Sequence, residues 1–401
     1  MIYACRWLVP IDRPPLERGW IEVDGGSIRR LGQGTPPGPA EDLGETAILP
    51  GLVNAHIHVE LSWMCGRVPP SASMDEWIQA LMRLRRAGVP GGVEAEQEAM
   101  RRAAAAMHAS GTVLVGDISN TLQTPHVLVD ADIGGIVFHE LIGFGVVDPA
   151  LVVREAGERV SAARRDIGRP PVPLRVTLAA HAPYSVAPGL FREIARWARD
   201  EPLSIHLGES AEEIEFLRTG GGPIRAMLEK LAAWNGTWTA PGTGPVDYLA
   251  SLGYLKPGLL VVHAGHLTDA ELERLRRARA TIVTCPRSNL WVGGGMPRVS
   301  HFYASGVPVA IGTDSLASVQ TLSVFDELAE LRRIAPDVAV PSLLESATRI
   351  GAEALGFGAT HGTLAVGKAA ALVAVDVPPA VVDVEEYLVS GVPADAVRRL
   401  S

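Results

Sequence analysis

The amino-acid sequence predicts an α/β protein: a (β/α)8 TIM barrel with a small flanking β-sandwich formed from both chain ends. Three observations point there. Short apolar runs alternate with longer amphipathic segments from about Ile48 to Leu355, the pattern of repeated βα units around a parallel sheet. Many of those runs are apolar at nearly every position, as strands covered on both faces must be, and several end in His, Asp or Glu. Two turn-rich, alternating segments, Tyr3–Leu31 and Gly362–Val389, lie outside this region and are expected to pair with each other. The expected division is residues 1–50 plus 356–401 for the composite sandwich and 51–355 for the barrel.

Eight strands are expected, at Ile48–His58, Thr112–Ser119, Gly134–Leu141, Leu174–Ala182, Leu203–Ser210, Leu259–Ala264, Ala280–Cys285 and Val307–Asp314. Helices are expected at Met74–Arg86, Val93–Ala109 and Ala270–Ala278, where apolar residues recur at helical spacing with charges between them. The stretch Thr219–Val246, rich in Gly and Trp, reads as a long insertion after the fifth strand and hence as a lid or substrate wall. In a barrel of this type, residues at the C-terminal strand ends build the active site. Here those ends carry His56, His58, Asp117, His139, His181, His206, His263 and Asp314.

Composition narrows the class. An apolar share of 47% with 20% charged residues is that of a globular chain. Acidic residues outnumber basic ones, 45 to 36, for a net charge of −9, which argues against a nucleic-acid or anionic-membrane surface as the main partner. A small-molecule site fits better. Three widely spaced cysteines, Cys5, Cys65 and Cys285, form no CxxC pair and suggest neither a disulfide framework nor a thiolate metal site. The apolar start is broken by Arg6, Pro10 and Asp12 and reads as a strand, not a secretion signal. A cytoplasmic protein is the expectation, and the oligomeric state, a homodimer included, stays open.

The sharpest local pattern is Pro50-Gly51-Leu52-Val53-Asn54-Ala55-His56-Ile57-His58. Residues two apart on a strand point the same way, so both imidazoles can converge on one cation. An isolated His-x-His is commonly incidental; its place at a strand end gives it weight. Ser204-Ile205-His206-Leu207-Gly208-Glu209-Ser210 closes another strand with a histidine and follows it by a glutamate, either a ligand beside a proton-shuttling carboxylate or a core histidine beside a loop acid. His263 ends the sixth strand. Asp314 ends the eighth beside Ala310 and Ile311, an expensive place for a carboxylate without a cation or hydrogen bonds. His266, beyond its strand, reads as solvated or structural.

His56, His58, His206, His263 and Asp314 occur in an order that resembles the amidohydrolase superfamily, and the resemblance covers nearly the whole chain, flanking ends included. It implies that His56, His58, His206 and Asp314 ligate a metal, with His263 beside the water that the metal activates. Two-metal members of that family carry a carboxylated lysine at the fourth strand; Leu174-Arg175-Val176-Thr177-Leu178-Ala179-Ala180-His181 has no lysine. One divalent metal per chain is therefore expected, zinc first, with iron and manganese as alternatives. The spacing of His206 and Glu209 resembles the branch containing cytosine, guanine and adenosine-type deaminases. The implied catalytic set is Glu209, His263 and Asp314.

Four segments resemble the aminodeoxyfutalosine deaminases of the alternative menaquinone pathway: His56-Ile57-His58-Val59-Glu60-Leu61-Ser62, His181-Ala182-Pro183-Tyr184-Ser185, Thr284-Cys285-Pro286-Arg287-Ser288-Asn289 and Thr313-Asp314-Ser315-Leu316-Ala317-Ser318. Such a substrate couples an adenine-like ring to a sugar-derived chain bearing a benzoate. Its site wants an arginine for the carboxylate, here Arg287 beside Ser288, a polar group for the sugar, here Glu60, and a partner for a ring nitrogen, here His181. Arg287 and Glu60 have a plainer reading as supports of their own loops. Cys285 is expected to pack as a small apolar residue. Trp63, Trp77, Trp234, Trp238 and Trp291 either wall the pocket or pack. Rival readings are a deaminase of methylthioadenosine, adenosylhomocysteine or another aminated heterocycle, a chlorohydrolase-type relative, and a scaffold that has lost catalysis, although no ligand position is missing here.

Overall fold

The computed structural model describes residues 1–234 and 236–400, so Asn235 within the insertion and Ser401 at the end lie outside the described residues. The chain opens with β1 (Ile2–Leu8), β2 (Leu16–Asp24), β3 (Ser27–Gln33), the two-residue β4 (Glu41–Asp42) and β5 (Thr46–Pro50). Eight strands then alternate with helices: β6 (Leu52–Ile57), β7 (Thr112–Ser119), β8 (Gly134–Leu141), β9 (Leu174–Ala180), β10 (Leu203–Leu207), β11 (Leu259–His263), β12 (Thr281–Thr284) and β13 (Val309–Ile311). Near the C-terminus β14 (Leu372–Asp376) and β15 (Val397–Leu400) follow.

Strands β6 to β9 and β10 to β13 form two four-stranded sheets, each in sequence order and parallel throughout. Sequential parallel strands require crossover connections, and helices supply them. Every residue of β7 and β8 is buried. The two sheets meet at two seams. At one, the His206 amide donates to the His181 carbonyl at 2.9 Å. At the other, Thr313 and Asp314 amides each donate to the His56 carbonyl at 3.1 Å, and the His58 amide returns a bond to the Asp314 carbonyl at 3.2 Å.

All eight expected strands are present, and six of them end short of the expected C-terminus. Backbone geometry accounts for this in β10, β11 and β13. Gly208, His263, Ala264 and Asp314 have positive φ of 62°, 72°, 57° and 63°, which stops a ladder just where the chemistry-bearing side chains begin. The expected Ile48–His58 strand is two strands: β5 pairs with β14 and β1, while β6 pairs with β7. One unbroken apolar run thus serves two sheets, and periodicity alone does not mark the change. The three expected helices are found at Met74–Ala87, Gly92–Ala109 and Asp269–Ala278.

The chain ends do pair. They form one hydrogen-bonded sheet in the order β15-β14-β5-β1-β2-β3, with β4 on β1. The expected β character of Gly362–Val389 holds only for β14; Val384–Val389 is helical, started by the Asp383 carboxylate accepting from the Glu386 amide at 3.0 Å. In the insertion, Trp234 and Trp238 pack with Phe144, Phe216 and Ile224, so these indoles build a local core. Trp63, Trp77 and Trp291 gather in a second aromatic-aliphatic cluster. Among the described residues no helix is long and apolar enough to cross a membrane.

Gly312 shows how tightly the seam is drawn. A Cβ there would lie 2.7 Å from His56 Cβ, 2.8 Å from His56 O and 2.9 Å from Cys285 Sγ, so the β13 end approaches β6 only because the residue lacks a side chain. Gly312→Ala should cost about 1–3 kcal/mol of stability through overpacking and should lower the metal retained per chain. Chemical denaturation and elemental analysis of the variant check both; an unchanged midpoint would mean that the strand end yields freely.

Candidate active site

The parallel strands deliver their terminal side chains to one small volume. His56 and His58 stand on the same side of β6, with ring centroids 4.9 Å apart and nearly perpendicular planes. His206, from β10, brings its Nε2 within 3.4 Å of His58 Nε2. Across the second seam, Asp314 Oδ1 lies 3.5 Å from His58 Nε2 and 3.8 Å from His56 Nε2. Ligand atoms of His56, His58 and Asp314 fall within 4.8 Å of one another, as do those of His56, His206 and His263. The structure therefore brings together all four expected ligands, with His263 beside them.

The donor set fits a divalent cation on structural grounds. Both ring nitrogens of fully buried His56 have no hydrogen-bond partner, an arrangement that costs free energy unless something else satisfies one of them. His206 donates from Nδ1 to the His181 carbonyl at 3.1 Å, which fixes the neutral tautomer and turns the Nε2 lone pair inward. Burial, then neighbouring imidazoles, lowers the proton affinity of these rings: His56 and His206 fall well below the usual range and His58 to about 3. Neutral imidazole is the form that binds metal.

Asp314 is held by hydroxyls. Ser288 Oγ donates to its Oδ2, as does Ser318 Oγ at 3.0 Å. That leaves Oδ1 toward the imidazoles. Ser288, expected to touch substrate, thus orients the aspartate. The left-handed backbone at Asp314 and His263 costs about 1–3 kcal/mol at each non-glycine residue and is held there by its surroundings. Asn54 is one such support: its Nδ2 donates to Thr313 Oγ1 at 2.7 Å, and the Thr313 amide donates to its Oδ1 at 3.1 Å.

Glu209 faces the cluster from the other side, its Oε1 3.3 Å from His263 Nε2. The Nδ1 of His263 lies 3.3 Å from Asn289 Oδ1. Burial, with Asp314 and Glu140 adding, pushes the Glu209 carboxyl well above the usual carboxylate range, so it holds a proton where an ordinary glutamate would not. Its backbone is fixed by fully buried Glu213, which accepts from the Gly208 amide at 3.0 Å and the Glu209 amide at 3.2 Å. Ser210 caps the helix Ala211–Thr219 by accepting from the Glu213 amide at 3.2 Å. Gly208 itself sits where a Cβ would meet Leu267 at 2.6 Å.

His181 sits just past β9, its Nδ1 2.6 Å from Ser185 Oγ and its ring centroid 4.9 Å from that of His206. Glu60 is heavily engaged: it accepts from the Ser119 hydroxyl, the Asn120 amide at 2.9 Å, the Thr121 amide at 3.0 Å and the Thr121 hydroxyl at 2.6 Å. Arg287 is engaged too. Its amide donates to Glu327 Oε2 at 3.3 Å, and its guanidinium reaches Thr321 Oγ1 at 3.1 Å and Glu327 Oε1 at 3.5 Å. A substrate carboxylate would have to compete with buried Glu327 for that guanidinium, and a sugar hydroxyl with the Ser119–Thr121 loop for Glu60.

Several residues support the site. Asp117, visible as a polar strand end but given no role by the sequence, accepts from the Val59 amide at 3.0 Å and from Thr124 Oγ1, which pins the turn after His58. Glu140, not the adjacent His139, faces the site, with Oε1 3.7 Å from His206 Nδ1; His139 instead approaches the Ser119 carbonyl at 3.1 Å. A full alternation argument on β8 would have found Glu140, since neighbours on a strand face opposite ways. His266 is exposed, 3.2 Å from the Gly294 carbonyl, and Cys285 is buried among apolar residues with its thiol pushed well up.

The amidohydrolase family model matches residues 47–397. The chain belongs to the amidohydrolase family. It is a hydrolytic deaminase of that family. It is 31% identical to an aminodeoxyfutalosine deaminase of Deinococcus radiodurans, over 80% of this chain and 76% of that protein. It is 30% identical to a 5-methylthioadenosine/S-adenosylhomocysteine deaminase of Halobacterium salinarum, over 89% and 79% of the two. Among solved structures it resembles an adenosine deaminase from Xanthomonas campestris with bound zinc, with a TM-score of 0.81, 26% identity and coverage of 99% and 90%. The aminofutalosine deaminase of Helicobacter pylori in complex with methylthio-coformycin shares the fold over the full length of both chains, with a TM-score of 0.85 at 23% identity.

The donor set has two measurable consequences. Protein purified without chelator should carry about one metal equivalent per chain, because one set of four ligands converges and β9 offers no lysine; elemental analysis reading about two tightly held metals would refute this. His206→Ala should lose metal before it loses fold, seen as a drop in metal content with the far-ultraviolet spectrum retained.

Proposed function

We propose that this enzyme is a hydrolytic deaminase of an adenine-like nucleoside, and that its substrate is 6-amino-6-deoxyfutalosine, converted to futalosine and ammonia. The observation that carries the reaction type is the buried Glu209 carboxyl beside His263, facing the four-ligand cluster but outside it. The Deinococcus relative supports the finer substrate; the methylthioadenosine/adenosylhomocysteine deaminases among the relatives keep those nucleosides as the second reading. We also read the two parallel sheets as halves of one closed (β/α)8 ring, with residues 1–50 and 356–401 as the flanking domain.

When bound at His56, His58, His206 and Asp314, a divalent cation supplies acidification of a water molecule, and zinc is our choice because a neighbouring structure holds it. The chain's own groups do the rest. Glu209, kept protonated by burial, delivers a proton to the ring nitrogen next to the amine-bearing carbon, which makes that carbon electrophilic. Asp314, with Oδ2 tied to Ser288 and Ser318, uses Oδ1 to take the proton of the attacking water. His263, with Nδ1 toward Asn289, orients that water. The new carbon–oxygen bond forms, the protons taken up pass to the amine, and the carbon–nitrogen bond breaks to release ammonia. His181 is placed to meet a ring nitrogen and Glu60 is assigned to the sugar, subject to the competition described above, while Arg287, held against buried Glu327, supports its own loop.

Ammonia release from aminodeoxyfutalosine, methylthioadenosine, adenosylhomocysteine and adenosine decides between the readings. We expect the highest kcat/KM for aminodeoxyfutalosine, and a wild-type preference for adenosine would remove that assignment. Glu209→Gln should lower turnover at least about a hundredfold while metal content stays at the wild-type level. Loss of metal together with activity would place Glu209 among the ligands instead.

A further inference from the structure

The helix Met74–Ala87 borders the site on one face. Met74 and Ile78 line a small apolar cleft with Tyr184, Ile224 and Met227, and the cleft reaches Ser210, the neighbour of Glu209. Arg85 lies seven residues beyond Ile78 and eleven beyond Met74, spacings of two and three helical turns that keep all three on one face. Its Nη2 donates to Asn120 Oδ1 at 3.4 Å. Asn120 in turn donates from Nδ2 to Glu140 Oε2 at 3.0 Å, and Glu140 Oε1 lies 3.7 Å from His206 Nδ1. Two polar contacts thus separate the guanidinium from the carboxylate beside His206.

Arg85 is exposed, and among the described residues it makes no ion pair. Arg287 differs on both counts, being largely buried and set against Asp326 and Glu327. At the opposite end of the helix the cleft carries Asp75 and Glu212, which repel an anion and favour the Arg85 end for any negative group.

We propose that Arg85 receives a carboxylate on the arm of the substrate remote from the reacting ring, as the specificity-determining cation of this site. The assignment rests on the deaminase reading and deepens it. An exposed guanidinium with no carboxylate in ion-pair contact can give a bidentate partner to an incoming one at the loss of at most its 3.4 Å bond to Asn120. Arg287 can do so only by leaving Glu327 buried and uncompensated.

The test compares aminodeoxyfutalosine with its methyl ester, which lacks the negative charge and adds one methyl group. Wild-type enzyme should prefer the acid, and Arg85→Met should reduce the acid-to-ester ratio of kcat/KM at least about tenfold, mainly through KM. Arg85→Lys should keep part of the preference, and added salt should weaken it. An unmoved ratio in Arg85→Met, or the same fall in Arg287→Met instead, overturns the assignment. Equilibrium binding of the deaminated acid and its ester to these variants reads the same ratio without turnover. Failure of the deaminase reading, seen as no ammonia from any adenine nucleoside, is thereby separated from failure of the Arg85 assignment, seen as an unmoved ratio.

Discussion

The structure turns on a desolvation problem at the seams between its two parallel sheets. His56, His206 and Asp314 are buried, and His58 nearly so, with few protein partners for the atoms that face one another. Groups of this kind are costly in a low-dielectric interior unless a cation or a hydrogen-bond network compensates them. The same residues also carry the backbone bonds that join the sheets, from His206 to His181 and between His56, His58 and Asp314. Chemistry and architecture therefore share atoms. A change that relaxes one seam moves a ligand, and a ligand left uncompensated weakens a seam.

Around this centre the remaining polar residues act as positioners, and they do so in pairs. Ser288 and Ser318 hold one oxygen of Asp314, Asn54 holds the Thr313 turn from both sides, and Glu213 grips two consecutive amides next to Glu209. Two contacts restrict rotation where one would allow a swing, so each reactive group is presented in a single orientation. Preorganised groups of this kind need little reorganisation when charge develops. Charge is sorted as well: burial lowers the proton affinity of the rings and raises that of the Glu209 carboxyl.

Much of this was legible in the sequence. The eight parallel strands were visible as apolar runs because both faces of each are covered, and the ligand positions were visible because polar residues interrupt those runs at their ends. What stayed hidden is instructive. Asn54, Glu140 and Asn289 are ordinary residue types whose partners are distant in the chain; Asn54 and Thr313 are 259 positions apart. No local spacing encodes such a pair. The division of Ile48–His58 into β5 and β6 was hidden for a related reason, since an apolar residue buried in one sheet reads the same as one buried in another. The helix at Val384–Val389 was masked by its shortness, with the Asp383 cap as its clearest signal.

The seam between β6 and the β13 loop carries a consequence for biosynthesis. Half of the four-ligand set is made early, at His56 and His58, and then waits for His206 and finally for Asp314, which emerges only after most of the chain has been synthesised. Until His206 emerges, a ribosome-bound chain holds just the His-x-His pair, too few donors to retain a cation firmly. Firm metal capture by this candidate set therefore waits for a nearly completed chain. A truncated product or one stalled before Asp314 cannot close the seam or hold metal well, and its unpaired strand edges expose it to proteolysis.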